Sequence, residues 1–206
     1  MDQVSKTAKA EFELAYELAY GADKPKRTPW KKIFALWLAS AQKGNRRGMF
    51  YTGVCYDRGQ GTPKNLELAF DWYMKAARLG HRDSQYNIGL FYSEGELVEQ
   101  DHRKKLYWYK KAARAGLIDA QRDWGYALFY GLGVKKDERK AVYWYKRAAR
   151  SNDPMALYNL GLCHLHGEGV KRSIRWAAHY FEKAAKLGHK KAKKKLKLSR
   201  PKTLHT

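Results

Sequence analysis

Apolar and small residues recur along this chain at three- and four-residue steps, the spacing of one helix face. From Asp101 to Gly116 they are Leu106, Tyr109, Ala112 and Ala113, and a second stretch of the same kind reads Ala156-Leu157-Tyr158-Asn159-Leu160-Gly161. No strand pattern is present. Shifting the sequence by 36 residues aligns Trp72, Trp108 and Trp144, then Trp37, Tyr73, Tyr109, Tyr145 and Phe181, and then the small pairs Ser40-Ala41, Ala76-Ala77, Ala112-Ala113, Ala148-Ala149 and Ala184-Ala185. Five ungapped copies at one offset define a repeat, and the repeat governs every other reading of the chain.

Each copy predicts two helices. The second, helix B, begins at Asn65, Asp101, Asp137 and Ser173, residue types whose side-chain oxygen accepts a bond from the free amides of a first turn. It stops at Gly44, Gly80, Gly116, Asn152 and Gly188, where a residue tolerant of positive φ ends the helix. The first, helix A, carries Gly53, Gly89, Gly125 and Gly161 in one column. A mid-helix glycine costs about 1 kcal/mol relative to alanine, so its recurrence implies close helix approach, with backbones meeting where the side chain is missing. Turns join A to B at Gly59-Gln60-Gly61, Gly131-Leu132-Gly133 and Gly167-Glu168-Gly169, with Gly95-Glu96-Leu97 in the unit over 82–116.

The order alanine, tyrosine, leucine-glycine, Gly-x-Gly-Val, an acid, Lys-Ala, Trp-Tyr, Ala-Ala and glycine resembles the Sel-one-like repeat, a relative of the tetratricopeptide repeat. It is carried best by Gly131 to Val134, Asp137, Lys140-Ala141, Trp144-Tyr145 and Ala148-Ala149, and by Ala156 to Gly161 with Gly167 to Val170. The resemblance covers 46–188 and, less completely, 10–44, where Glu17 replaces the glycine and Pro25 and Pro29 sit in the connection. It implies an all-α fold, a right-handed α-solenoid of antiparallel helix pairs with helix A on the concave face and helix B on the convex one. The expected organisation is a single solenoid over 1–198, with units 10–44, 46–80, 82–116, 118–152 and 154–188 and a closing helix at 189–198, followed by a basic tail at 199–206. The first unit is expected to act as a capping repeat. The family also implies adaptor or scaffold work, in which the concave surface holds another protein.

Charge then narrows the partners. Lys and Arg number 42 against 20 Asp and Glu, a net +22, with 44% apolar and 14% aromatic residues. That composition supplies a core and excludes global disorder. No apolar run approaches the roughly 20 residues of a membrane-spanning helix, and Met1 to Ala10 has no signal-like apolar stretch, so a cytoplasmic protein is expected, with export by a signal-independent route left open. Cys55 and Cys163 lie three whole repeats apart and are expected as small core residues rather than a disulfide. The Cys163, His164, His166 cluster lacks the further ligands a zinc site needs. The Gly-x-Gly turns are not set in a strand-turn-helix unit, so they do not read as phosphate loops. No catalytic residues, metal or cofactor are expected.

Binding residues are sought where the repeats differ, because core columns hold one residue type. The likeness to tetratricopeptide repeats implies that the concave rows of helix A are Phe50, Tyr86, Arg122 and Tyr158; Val54, Leu90, Tyr126 and Leu162; and Asp57, Ser93, Phe129 and Leu165, and these rows vary. Arg122, Tyr126, Phe129 and Tyr130 fall on successive turns of one face, a cation-aromatic mix of the type found at binding hot spots. With Phe50, Tyr86, Tyr158, Leu162 and His166 they form the candidate partner-binding set. A basic patch at Lys190, Lys191, Lys193, Lys194, Lys195 and Lys197 has no acid beside it. The leading expectation is a monomeric, non-enzymatic scaffold binding an acidic protein or peptide. Nucleic acid binding through the basic and aromatic surface, or attachment to an anionic membrane through the lysine-rich end, are the alternatives.

Overall fold

The computed structural model describes residues 3–199, with side chains as far as Leu196. Among the described residues there are eleven helices and no strand: α1 (Gln3–Tyr20), α2 (Trp30–Gln42), α3 (Arg46–Arg58), α4 (Leu66–Arg78), α5 (Arg82–Glu94), α6 (His102–Arg114), α7 (Ile118–Tyr130), α8 (Glu138–Ala149), α9 (Pro154–His166), α10 (Ile174–Lys186) and α11 (Lys190–Ser199). The odd-numbered helices from α3 to α9 are helix A of the repeat, and the even-numbered ones are helix B.

The predicted boundaries have the chemistry expected of them. The side chains of Asn65, Asp137 and Ser173 accept bonds from the Leu68, Lys140 and Trp176 amides, and Asp101 accepts from Arg103 and Lys104. Every residue of the stop column has positive φ, including Asn152 at 58°. Asparagine is one of the few side chains that enters this left-handed region readily.

Two compact units divide the chain, Met1–Trp108 and Tyr109–Thr206, with the boundary inside α6. In the first unit, Phe12, Ala15, Ala19, Ile33, Trp37 and Cys55 form one core cluster. Val54, Ala69, Tyr73, Ala77, Ile88 and Trp108 form another. In the second unit, Leu157, Ala177, Phe181, Ala184 and Ala192 pack together, and Leu196 lies against them, so α11 closes the last pair. With 18 residues, α1 is longer than any other helix described. Both cysteines are free and buried.

What comes nearest to Gly53, Gly125 and Gly161 is an aromatic ring, with a backbone atom, the Ala141 carbonyl at 3.3 Å, beside it only at Gly125 of these three, so the expected meeting of backbones is in the main a seat for a ring. Gly53, Gly125 and Gly161 each face a ring from the helix B that follows. A Cβ on Gly53 would lie 2.7 Å from the Tyr73 ring, one on Gly125 3.0 Å from Tyr145, and one on Gly161 2.4 Å from Phe181. Tyr73, Tyr145 and Phe181 are themselves no more than 1% exposed. The missing side chain is therefore the seat of the helix B ring.

Candidate functional site

The row containing Phe50, Arg122 and Tyr158 is built around contacts from one helix A to the start of the next. Phe50 stacks on His81 with ring centroids 4.6 Å apart, and Tyr158 stacks on His189 at 4.4 Å. Arg122 instead bonds Asp153 at 3.0 Å, together with Asp119 at 2.7 Å and Asp123 at 3.0 Å. In all three cases the onward partner is the residue just before the next odd-numbered helix. His81 caps α5 by accepting from the Ser84 amide, His189 accepts from Ala192, and Asp153 accepts from Ala156. Where the cap is imidazole the row residue is aromatic, and where the cap is carboxylate it is a guanidinium. Variation along this row thus matches each helix A residue to the cap that precedes the following odd-numbered helix. Tyr86 is half-buried.

Arg122 is accordingly not a displayed cation. Its side chain is 17% exposed. Burial by itself would lower its pKa, but the carboxylates of Asp123, Asp153 and Asp119 outweigh that and raise it.

One turn further along α7 the surface changes. Tyr126 and Tyr130 are 47% and 54% exposed, with ring centroids 4.5 Å apart, as an i, i+4 pair on one helix face should be. Phe129, expected on the same face, turns inward between Tyr130 and Tyr145 at 4.9 and 6.4 Å. The matching positions of α9 carry Leu162, half-buried, and His166, exposed. Burial raises the Tyr130 phenol, with further contributions from Tyr126 and Glu168.

The basic patch faces solvent. Lys190, Lys191, Lys193 and Lys194 are exposed and Lys195 is half-buried, while Ala192 and Leu196 are the residues turned to the core. The Lys197 side chain and residues 200–206 of the tail lie outside the described part of the chain.

No group of three potential metal ligands occurs among the described residues. Burial pushes the thiols of Cys55 and Cys163 up to about 12, which leaves them protonated and unreactive. His164 stacks on Tyr180 at 5.5 Å. The match between a row residue and the following cap escapes a column-by-column reading of the sequence. The signal for it is nevertheless present, since Arg122, the one cation among Phe50, Tyr86 and Tyr158, is followed by Asp153, the one acid among Asn45, His81, Leu117 and His189.

The cap histidines make the fold acid-sensitive. Burial holds His81 down at about 4, Asp83 opposes this, and Arg46, Arg47 and Arg82 add to it. An imidazole that accepts the Ser84 amide must be neutral at that nitrogen. The unfolded chain, with a histidine near 6.5, binds protons before the folded one does, so stability is full above about pH 6.5 and is lost as pH falls towards 4, by on the order of 2 kcal/mol. His189 is lowered too, first by burial and then by Lys191. Asparagine, which caps α3 at position 45, keeps the bond without titrating. Thermal melts between about pH 7 and pH 4.5 should therefore slope less for His81→Asn than for the parent. Equal slopes would assign the acid loss to other groups.

Helix pairs of this kind, repeated at 36 residues, define a helical-repeat protein. The Sel1 repeat model matches residues 8–27, 46–81, 82–117, 118–153 and 154–189, and the chain belongs to the Sel1 repeat family. It is 28% identical to a Sel1 repeat protein from Oxalobacter formigenes over 96% of this chain and 58% of that one, with a TM-score of 0.85. It is 33% identical to c5321, described as a protective antigen of uropathogenic Escherichia coli strains with an SLR fold, over 93% of this chain and 41% of that one, TM-score 0.78. Helicobacter pylori cysteine rich protein B is 29% identical over 65% of this chain and 96% of its own, TM-score 0.51. The chain thus spans about three fifths and two fifths of the lengths of the first two. A comparison with curated proteins returned no match. Sel1 repeat proteins are in general protein-interaction scaffolds, typically without enzymatic activity. No described helix is long and apolar enough to cross a membrane.

Proposed function

We propose that this chain is an adaptor that holds an acidic protein segment against helix A of its second unit. The observation that carries the reading is the tyrosine pair of α7, about half exposed where the rings of Tyr73, Tyr145 and Phe181 are buried. Leu162 and His166 extend that surface along α9, and a net charge of +22 favours an acidic partner. Two-torsion aromatics bury a large area at small entropic cost, which suits them as anchors.

Tyr126→Ala with Tyr130→Ala should reduce capture of the principal protein partner from nuclease-treated native extract by about thirtyfold or more, the scale of a hot spot worth about 2 kcal/mol. Arg122 is left intact because its removal would take one ion-pair partner from each of three carboxylates. The control is Lys146→Ala with Arg150→Ala, on exposed helix B positions. Equal losses from both pairs would refute the tyrosine site in favour of general charge attraction, and loss of all partners on nuclease treatment would favour nucleic acid.

A further inference from the structure

A recess in the second unit is lined from α6, α7, α8 and the turn between α7 and α8, and neither tyrosine of the α7 pair is part of that lining. Its volume is about 560 Å³. The floor is apolar, formed by Trp124 and Leu128 of α7, Val134 of the following turn and Trp144 of α8. Around it stand Lys110 and Arg114 from the end of α6, Lys135 from the turn and Lys140 from α8, with Tyr143 beside them. No acidic residue lines it among the described residues. Lys140 is paired with Asp137 at 2.8 Å, while Lys110, Arg114 and Lys135 make no ion pair among the described residues.

Such a rim is costly to the folded chain unless something negative covers it, since like charges gathered over a low-dielectric floor repel. The floor narrows the choice of anion. Lys110 already lies 5.6 Å from the centre of the Trp124 ring, and Arg147 lies 5.2 Å from that of Trp144. The two indoles are only 7% and 9% exposed. They offer an apolar seat for an inserted side chain and no open face on which a base could stack. Nucleic acid recognition by stacking is therefore disfavoured, whereas a side chain flanked by carboxylates meets both parts of the recess at once.

We propose that this recess is a docking site for an acidic segment of a partner protein carrying one apolar anchor, which enters between Trp124, Leu128, Val134 and Trp144 while its carboxylates engage Lys110, Arg114 and Lys135. The site is separate from the tyrosine surface, and either can fail without the other. It gives the protein two attachment points of different chemistry within one unit.

The probe is a blocked pentapeptide with phenylalanine at its centre and glutamate at the other four positions, titrated into the full chain at about 0.15 M salt. The indole N–H resonances of Trp124 and Trp144 should shift. Lys110→Glu with Arg114→Glu should weaken binding about tenfold or more, and Lys135→Glu, on an exposed connection, should act in the same direction. Arg175→Glu with Lys183→Glu, an equal charge change on exposed α10 positions, should cost less than about threefold. Replacing the central phenylalanine by alanine should also weaken binding about tenfold. The proposal is overturned if the two indoles do not move, if both charge-reversed pairs lose affinity equally, or if the alanine peptide binds as well as the phenylalanine one. It is equally overturned if an oligothymidylate of matching charge displaces the peptide and binds more tightly.

Discussion

Asp153→Ala should destabilise the second unit by about 2–3 kcal/mol, a large fraction of the stability of any domain. Asp153 is 9% exposed and does two things: one carboxylate oxygen caps α9 at the Ala156 amide, and the other pairs with Arg122 at 3.0 Å. Losing the cap costs about 1 kcal/mol. Removing one partner of a buried ion pair costs about 3–5 kcal/mol when the remaining charge has no other counterion, but Arg122 keeps Asp119 and Asp123, so only about 1–2 kcal/mol of that loss applies. Asp153→Asn retains the cap and should cost about half as much. Urea midpoints of the two variants and of Arg122→Ala, combined as a double-mutant cycle, check the assignment. Additive effects of Asp153→Ala and Arg122→Ala would show that the pair contributes nothing beyond its members.

The second large effect lies at the glycine seats. Alanine is the better helix former by about 1 kcal/mol, and on that count alone each substitution should stabilise. At Gly161, however, the new methyl would stand 2.4 Å from a Phe181 ring that is fully buried and cannot retreat. Overpacking of that severity costs about 3 kcal/mol, so Gly161→Ala should lose about 2 kcal/mol net. The distances order the series: Gly161→Ala should cost more than Gly53→Ala at 2.7 Å, and Gly125→Ala at 3.0 Å should cost least. Phe181→Leu combined with Gly161→Ala should be more stable than the sum of the single effects. Thermal melts that rank the three glycines in any other order would mean that ring relief, rather than contact distance, sets the cost.

Much of the fold was legible because its rules are local. The cap oxygens at Asn65, Asp101, Asp137 and Ser173 and the positive-φ residues that end helix B depend on a few neighbouring backbone groups, so their spacing alone located the boundaries. The site was less legible, since it depends on contacts between helices far apart in sequence. Arg122 reads as a presented cation until Asp153 is seen beside it. Phe129 sits at the right helical step to join Tyr126, but a small change in rotation about the helix axis sends it towards Tyr145 and leaves Tyr130 as the exposed partner. The glycine column announced a close approach without stating what approached. The basic recess was invisible because its residues come from three helices and a turn, each unremarkable by itself.

The match between a row residue and the cap of the next helix A constrains how such chains can lengthen and shorten. Phe50 and His81 both lie within residues 46–81, Arg122 and Asp153 within 118–153, and Tyr158 and His189 within 154–189, which are the matched repeat frames. A segment copied or excised in that frame carries its own matched pair and leaves the others whole. Excising 118–153 would remove Arg122 together with Asp153 and set Leu117 before Pro154, so that α9 would begin without a side-chain cap, as α7 already does. A cut displaced into the middle of a frame would divide a pair and strand a buried charge or an unstacked ring. Gene duplication and loss are thereby channelled to one register, and the number of repeats can change without each new neighbour having to be matched afresh.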